Sequence, residues 1–294
     1  MLYRIGLRYS GGGLVLRPEA IYFVRLLQQQ GRPLLPDITV LPVGPEAWQA
    51  GQPVYGEAVL GVLQAWLKAR RGRPPRPLST CLSAKTAYFG ALTLPVYQAE
   101  SHAEVRLQIQ QAVPLQQNLA LDYQTEPQAL QRRVTYVAAR QSEVSAIANY
   151  FQRAGFKLAA LDLDVFALWR ASLTVMPHLV RRERVALLWV GQASAVFALY
   201  QKEVVVVSLA WSHDLPLSLH AFVEACANQV RAHELASWEV CAASRESADA
   251  VIAASRQAGL TPAFLDLMPY GHSHQALAHA FLAWGLALRG VTRR

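Results

Sequence analysis

Apolar residues fall along this chain in two rhythms, one of period two and one of period 3.6. Tyr3 to Tyr9 and Ala20 to Leu27 have the β-branched and aromatic density of strands, and Gly11-Gly12-Gly13 between them predicts a flexible turn. After Gly56, the residues Val59, Leu60, Val62, Leu63, Trp66 and Leu67 recur on one face at helical spacing, which predicts a helix packed on a sheet. Leu78 to Ala84 and Ala87 to Leu94 read as strands, and Pro95 ends the second because it has no N–H to give to a ladder. A helix over about Ala103 to Val113 follows, then short strands at Leu119 to Tyr123 and Val134 to Ala139. Glu143 to Ala154 is a helix closed by Gly155, the residue best suited to a left-handed cap.

Leu161 to Val165 alternates, which places Asp162 and Asp164 on the face opposite the leucines. Asp164 also stands where a helix starting at Val165 needs an N-cap, a role Asp fills readily. Beyond it, Val185 to Val190 and Ala195 to Tyr200 predict adjoining strands around a Gly191 turn, with Glu203 to Ala210 a third and a helix from about Leu219 to Ala232. Strand meander, helix and further strand thus occur twice. Such duplication of an α/β unit suits two similar domains facing a cleft.

Composition narrows the function. With 294 residues, 53% hydrophobic and 16% charged, the chain can bury a large core. Its longest apolar stretches, Val185 to Tyr200 and Val204 to Trp211, are interrupted or too short to cross a bilayer as a helix. Met1-Leu2-Tyr3-Arg4-Ile5-Gly6 lacks the charged leader and apolar block of a signal peptide, so a cytoplasmic protein is expected, held at a membrane only through a partner. Cys81, Cys226 and Cys241 are widely spaced, odd in number and outside any Cys-x-x-Cys, which fits buried thiols and neither disulfides nor zinc.

The net charge of +8 fits attraction to nucleic acid or to an anionic leaflet. Its densest segment, Lys68, Arg70, Arg71, Arg73 and Arg76, is interleaved with Pro74, Pro75 and Pro77, a connector that offers neither aromatics nor a recognition helix. That describes a solvated loop after a helix and no specific nucleic-acid site. His272 and His274, with His279 on the next helix, have no Cys or acid cluster near them, and with Gly271 and Ser273 between, a solvent loop is a better reading than a metal site. There is no Gly-x-Ser-x-Gly and no Gly-x-x-x-x-Gly-Lys, which removes the common hydrolase and phosphate-loop classes.

Three segments carry a resemblance. They are Ala112-Val113-Pro114-Leu115 leading to Leu121-Asp122-Tyr123-Gln124, then Leu161 to Ala171 (LDLDVFALWRA), then Trp284-Gly285-Leu286-Ala287-Leu288-Arg289-Gly290. In that order and at those distances the chain resembles the PilM family, including its HofM-type branch, the actin-like cytoplasmic component of type IV pilus assembly and competence machines. The resemblance implies an α/β, actin-like (FtsA/PilM-type) two-domain fold with RNase H-like units and a small inserted α+β subdomain. The first domain would span 1–84 plus 141–172, the insert 85–140 and the second domain 173–294. A helix at 276–290 would pack back towards the first domain.

Actin-like proteins bind ATP between the two domains, and an acid on each of two equivalent hairpins holds magnesium and the catalytic water. A glycine pair admits the adenosine. This sequence departs at all three places. The first hairpin would carry Gly6-Leu7-Arg8 with Ser10 following, and Glu19, the sole acid before Asp37, would lie outside its tip. The second would carry Trp189 and Gly191, with no acid between Glu183 and Glu203. Ala242 and Ala243 would replace the glycines. Catalytic and metal-ligating residues are therefore expected to be none, with no cofactor; ATP and magnesium would bind only if other residues compensate.

What the resemblance leaves is scaffolding. The implied partner is the cytoplasmic N-terminal tail of a bitopic PilN- or HofN-like inner-membrane protein, with the assembly ATPase a further candidate. The tail would lie in a groove beside the insert, whose candidate walls are Leu94, Pro95, Ile109, Val113, Leu121 and Tyr123. The chain would then be cytoplasmic and peripheral to the inner membrane. Two alternatives stay open: an active actin-like ATPase of the same or a type II secretion machine, and a basic protein that binds nucleic acid or membrane surface.

Overall fold

The glycine run does not turn. In the computed structural model, which describes residues 10–29, 32–33, 36–70, 77–99, 101–114, 118–128, 130–270 and 274–292, β1 (Ser10–Leu16) passes straight through Gly11 to Gly13. It pairs antiparallel with β2 (Ala20–Gln29), Ser10 opposite Leu27 and Leu16 opposite Ile21. The chain reverses at Arg17-Pro18-Glu19 instead, where the Arg17 amide donates to the Ala20 carbonyl at 2.9 Å. The strand expected at Tyr3 to Tyr9 lies outside the described residues.

The remaining elements of the first sheet follow from the pattern. β3 (Asp37–Pro42) pairs with β2. α1 (Glu57–Ala69) buries Val59, Leu60, Leu63 and Trp66, the stripe its spacing predicts, and Trp66 packs on Phe23 and Phe156. β4 (Leu78–Leu82) runs parallel to β1. The chain then leaves this sheet for a small antiparallel one made of β5 (Ala87–Pro95), β6 (Leu119–Gln128) and β7 (Gln131–Arg140), in the order β5-β7-β6, with α2 (His102–Ala112) packed on it. It returns through α3 (Gln141–Arg153), which closes on Gly155 at φ 87°. β8 (Leu158–Leu163) then lies parallel beside β4.

α4 (Asp164–Val175) starts at Asp164 itself, one residue earlier than the sequence suggests. Asp164 therefore does not cap from outside the helix. Its buried Oδ1 accepts from the amides of Val165 and Ala84, both at 2.9 Å, which ties α4 to the point where the chain departs for the small sheet.

The second half repeats the first. β9 (Arg184–Val190), β10 (Ser194–Gln201) and β11 (Val204–Ser212) form a meander, α5 (Leu219–Ala232) follows, and β12 (Ser237–Ala242), α6 (Arg245–Ala258) and β13 (Thr261–Phe264) complete a five-stranded sheet. Its order is β11-β10-β9-β12-β13, and the first sheet reads β3-β2-β1-β4-β8, so both follow third, second, first, fourth, fifth. β9 is buried from Val185 onward, with α5 and α6 on one face of its sheet and the first half of the chain on the other. Tyr200 Oη donates to the Val165 carbonyl at 2.5 Å, and its ring meets Trp169 of α4.

α7 (His274–His279) and α8 (Phe281–Thr292) finish the described chain, and α8 lies on β1 and crosses α4. The glycines are there for this contact. A β-carbon on Gly13 would stand 1.9 Å from the Ala283 carbonyl oxygen, and one on Gly285 would stand 1.9 Å from that of Ala167. Close approach of backbones, and not left-handed backbone, is what Gly13 provides. Among the described residues no helix is long and apolar enough to cross a membrane.

Candidate functional site

The cleft between the two halves is built from the two equivalent hairpins. On the second, the Gly191 amide donates to the Ser194 carbonyl at 2.8 Å, and the Ala243 amide donates to the Val190 carbonyl at 2.8 Å. These bonds bring Trp189, Gly191, Ala242 and Ala243 together at the ends of β9 and β12. The Trp189 indole is fully buried and lies against Gly191, where a β-carbon would come within 2.7 Å of the ring. Its Nε1 donates to the Ala278 carbonyl of α7 at 2.6 Å. One residue on, the His279 ring stacks on Tyr22 of β2, so the last turn of α7 reaches both hairpins.

From the first hairpin, the Arg17 guanidinium sits over the same indole, 5.0 Å from the ring centroid. Arg17 is buried, and its Nε and Nη2 have no hydrogen-bond partner among the described residues. A buried cation must be compensated. A desolvated cation–π contact supplies about 2 kcal/mol, and the carboxylate of Asp164 supplies opposite charge. Burial pushes the Asp164 carboxyl above its ordinary pKa, while Arg17 and the amides of Ala84 and Val165 draw it back down.

Arg8 lies outside the described residues. Ser10 does not reach the cleft, because it begins β1 at the end away from the hairpin tip, about 20 Å off at ~3.3 Å per residue. Glu19 corrects the sequence expectation in the opposite direction. It stands in the tip, its Oε1 accepts from Tyr22 Oη at 3.0 Å, and its Oε2 is buried with no partner among the described residues. Of the histidines, His272 is outside the described residues. His274 opens α7 instead of lying in a loop; His279 ends that helix, as expected, and is half-buried, which holds its imidazole below the ordinary pKa. Among the described residues no three His, Cys, Asp or Glu come together as metal ligands.

The small sheet divides the six candidate wall residues. Leu94, Ile109 and Val113 are buried with Val105, Leu119, Val134 and Ala138 as its own core, so they support a surface without forming one. Pro95, Leu121 and Tyr123 are half-buried and do present surface. Tyr123 Oη is hydrogen-bonded to His102 Nδ1 of α2, which fixes the ring on the β6 edge.

Sequence reasoning missed a second polar cluster. Asp162, with its side chain 3% exposed, pairs with Arg170 Nη2 and, at 2.8 Å, with Arg289 Nη1; Arg170 Nε also donates to the Gly285 carbonyl at 3.0 Å. The face opposite the leucines is thus buried at Asp162, and its carboxylate is held by two guanidiniums. The signal was available, because the Asp and both Arg residues sit inside two of the three motif segments.

Two mixed sheets of the same unusual strand order, with equivalent hairpins facing across a cleft, define an actin-like α/β fold. No protein-family model and no curated protein sequence matches the chain. Among solved structures, it is similar to one titled the PilM–PilN type IV pilus biogenesis complex, with a TM-score of 0.73 at 17% identity over 97% of this chain and 99% of that one. The cytoplasmic domain of EpsL, an inner-membrane component of the Vibrio cholerae type II secretion system, gives 0.51 at 9% identity, covering 80% and 82%. The ethanolamine utilisation protein EutJ of Carboxydothermus hydrogenoformans gives 0.51 at 12% identity, covering 97% and 91%.

Proposed function

We propose that this chain is a cytoplasmic scaffold of a type IV pilus or DNA-uptake platform of the HofM type, peripheral to the inner membrane. In this reading it binds the cytoplasmic tail of a PilN- or HofN-like bitopic protein and does not turn over ATP. The observation that carries the reading is the end-to-end likeness to the PilM–PilN structure. The likeness to EpsL leaves a type II secretion platform as the neighbouring alternative.

The cleft supports the loss of turnover. Magnesium wants several oxygen ligands in tight geometry. Here the second hairpin offers an indole, the first offers one carboxylate beside a guanidinium, and two alanine β-carbons stand where a nucleotide would need bare backbone. Arg17 repels a divalent cation and Trp189 occupies volume. The tail would dock on the side of the small sheet that carries Leu121 and Tyr123, since the pairing register turns Pro95 to the other face.

A second reading, an active ATPase, draws on Glu19, whose Oε2 at the hairpin tip has no hydrogen-bond partner among the described residues. Calorimetric titration with magnesium-ATP, followed by a hydrolysis assay, separates the two. No heat at millimolar nucleotide supports the scaffold. Hydrolysis that Glu19→Gln abolishes would establish the enzyme instead. Titration with the N-terminal tail of the PilN-like protein encoded beside it tests the partner, and absence of binding at millimolar peptide would refute that part.

A further inference from the structure

The two halves are joined by bonds that the chain makes with itself, spread along the length of the cleft. Near one end of β10, Tyr200 Oη donates to the Val165 carbonyl of α4 at 2.5 Å. Ser194 begins the same strand about 20 Å away at ~3.3 Å per residue. It lies opposite Ser212 of β11, and the His213 amide donates to the Ala193 carbonyl at 3.0 Å, so residues 212–214 adjoin the tip of the second hairpin. There the Gly51 amide, from the first half, donates to Asp214 Oδ2 at 2.9 Å, while Ser212 Oγ donates to Asp214 Oδ1. Ties at both ends of one strand oppose rotation of the halves about either tie.

The segment that reaches across is strained. Ala50 and Gly51 form the two-residue turn between the short paired strands Trp48–Gln49 and Gln52–Pro53, with φ of 50° and 75°. Two successive left-handed residues define a type I′ turn, which ordinarily takes Asn-Gly, and an alanine in the first place strains it. Strain of this kind persists where the surroundings over-determine it. Here the buried Trp48 anchors the base of the turn in the first half. Asp214 and Leu215 of the second half hold its tip, with Leu215 Cδ1 3.4 Å from where a Gly51 β-carbon would stand.

The charges along the cleft compensate one another. Arg17 acts on Asp164, whose carboxylate accepts from the Ala84 amide, and Lys85, the next residue, feels both Asp164 and Asp214. Burial lowers the Lys85 pKa and the two carboxylates draw it back up. Partial burial pushes the Asp214 carboxyl up, but the Ser212 hydroxyl and the Gly51 amide outweigh it and hold the group below the ordinary carboxylate range. Arg17, Asp164, Lys85 and Asp214 thus alternate in sign from the first hairpin to the edge of the second. A ligand moves two halves only by binding one arrangement better than another. In this cleft the chain already supplies the charges that such a ligand would bring.

We propose that the cleft is a fixed joint. The Ala50–Gly51 turn is a strap anchored on Asp214, and Arg17, held between Trp189 and Asp164, stands where a bridging ligand would be needed to keep the halves together. The two halves therefore hold one arrangement without any nucleotide and do not cycle between open and closed. This goes beyond the scaffold reading, which concerns turnover and a partner and says nothing of motion. It makes the placement of the small sheet against the second large sheet a property fixed at folding.

Amide hydrogen exchange of the full chain, without ligand, tests the joint. Residues 48–53 and 212–218 are expected to exchange at least about a hundredfold more slowly than unstructured chain. Asp214→Ala should speed exchange at 48–53 at least about tenfold and leave β5 to β7 unchanged. Arg17→Met should speed both segments; if it does not fold, Asp214→Ala, on a loop, carries the test alone. Millimolar magnesium-ATP should leave the wild-type rates where they are. Wild-type exchange at 48–53 close to that of unstructured chain, no change in Asp214→Ala, or slowing by nucleotide would overturn the proposal. Absence of tail binding would count against the scaffold reading alone, because neither variant touches Leu121 or Tyr123.

Discussion

Replacing Gly13 by alanine asks the structure for space it does not have. The added methyl would stand 1.9 Å from the Ala283 carbonyl oxygen, 2.6 Å from the Ala287 nitrogen and 2.8 Å from the Leu286 β-carbon, so two of the three obstacles are backbone. Neither backbone atom can rotate aside, and α8 must move off β1 by more than an ångström. Overpacking a core costs about 1–3 kcal/mol when side chains can give way. With backbone in the way, Gly13→Ala should reach the upper end, about 3 kcal/mol. Gly285→Ala drives a methyl into the Ala167 carbonyl from the other side of the same helix and should cost a similar amount.

Two internal controls set the scale. At Gly12 the nearest atoms are 3.2 to 3.4 Å away, which predicts a loss of about 1 kcal/mol. Gly61, on the exposed side of α1 with nothing within 4 Å, should gain about 0.5–1 kcal/mol, because alanine suits a helix interior better than glycine. The assay is urea unfolding followed by tryptophan fluorescence, with stabilities compared at constant m. Because Gly13 and Gly285 act on one helix, the double variant should lose less than the sum of the singles. Strict additivity, or a Gly13→Ala loss under about 0.5 kcal/mol, would refute the claim that α8 is clamped between β1 and α4.

Other consequences follow from the polar clusters. Asp162→Asn removes a buried carboxylate from two guanidiniums and should cost about 3 kcal/mol in the same unfolding assay, the low end for a broken buried pair because both Arg heads keep some solvent. Trp189→Phe should cost about 1 kcal/mol by leaving the Ala278 carbonyl without its donor, and Trp189→Ala about 3–5 kcal/mol by emptying the cleft. Equal losses for the two would show that the indole packing has been misjudged. Replacing Lys202-Glu203 by Asn-Gly should raise stability by about 1 kcal/mol, measured by thermal unfolding, since it relieves two left-handed residues.

The regular parts of the fold were legible because their periodicity is strong. α1, α3, α5 and the β9–β11 meander each show a single apolar rhythm over several residues, and the structure follows it. Gly11 to Gly13 misled because composition alone does not separate a glycine needed for a turn from one needed for room. The room here is set by α8, hundreds of residues along the chain. Glu19 was misplaced for the same cause, since moving the turn from the glycines to Pro18 carries the acid into the tip. For Asp162 alternation showed only the face opposite the leucines, because its partners come from α4 and α8, far along the chain. Trp189 read correctly as an aromatic in a strand. That its indole would be clamped by a helix carbonyl and a guanidinium could not be inferred from local pattern.

The position of α8 on β1 also orders events during synthesis. β1 is among the earliest strands to leave the ribosome, yet the face it presents to α8 stays uncovered until residues 281–292 have been made. The second sheet is different, because its five strands come from one uninterrupted stretch between residues 184 and 264 and need nothing later to pair. The later half of the protein can therefore form its sheet first, while the earlier half waits with an open apolar flank. That flank is where a nascent chain of this kind would recruit a chaperone.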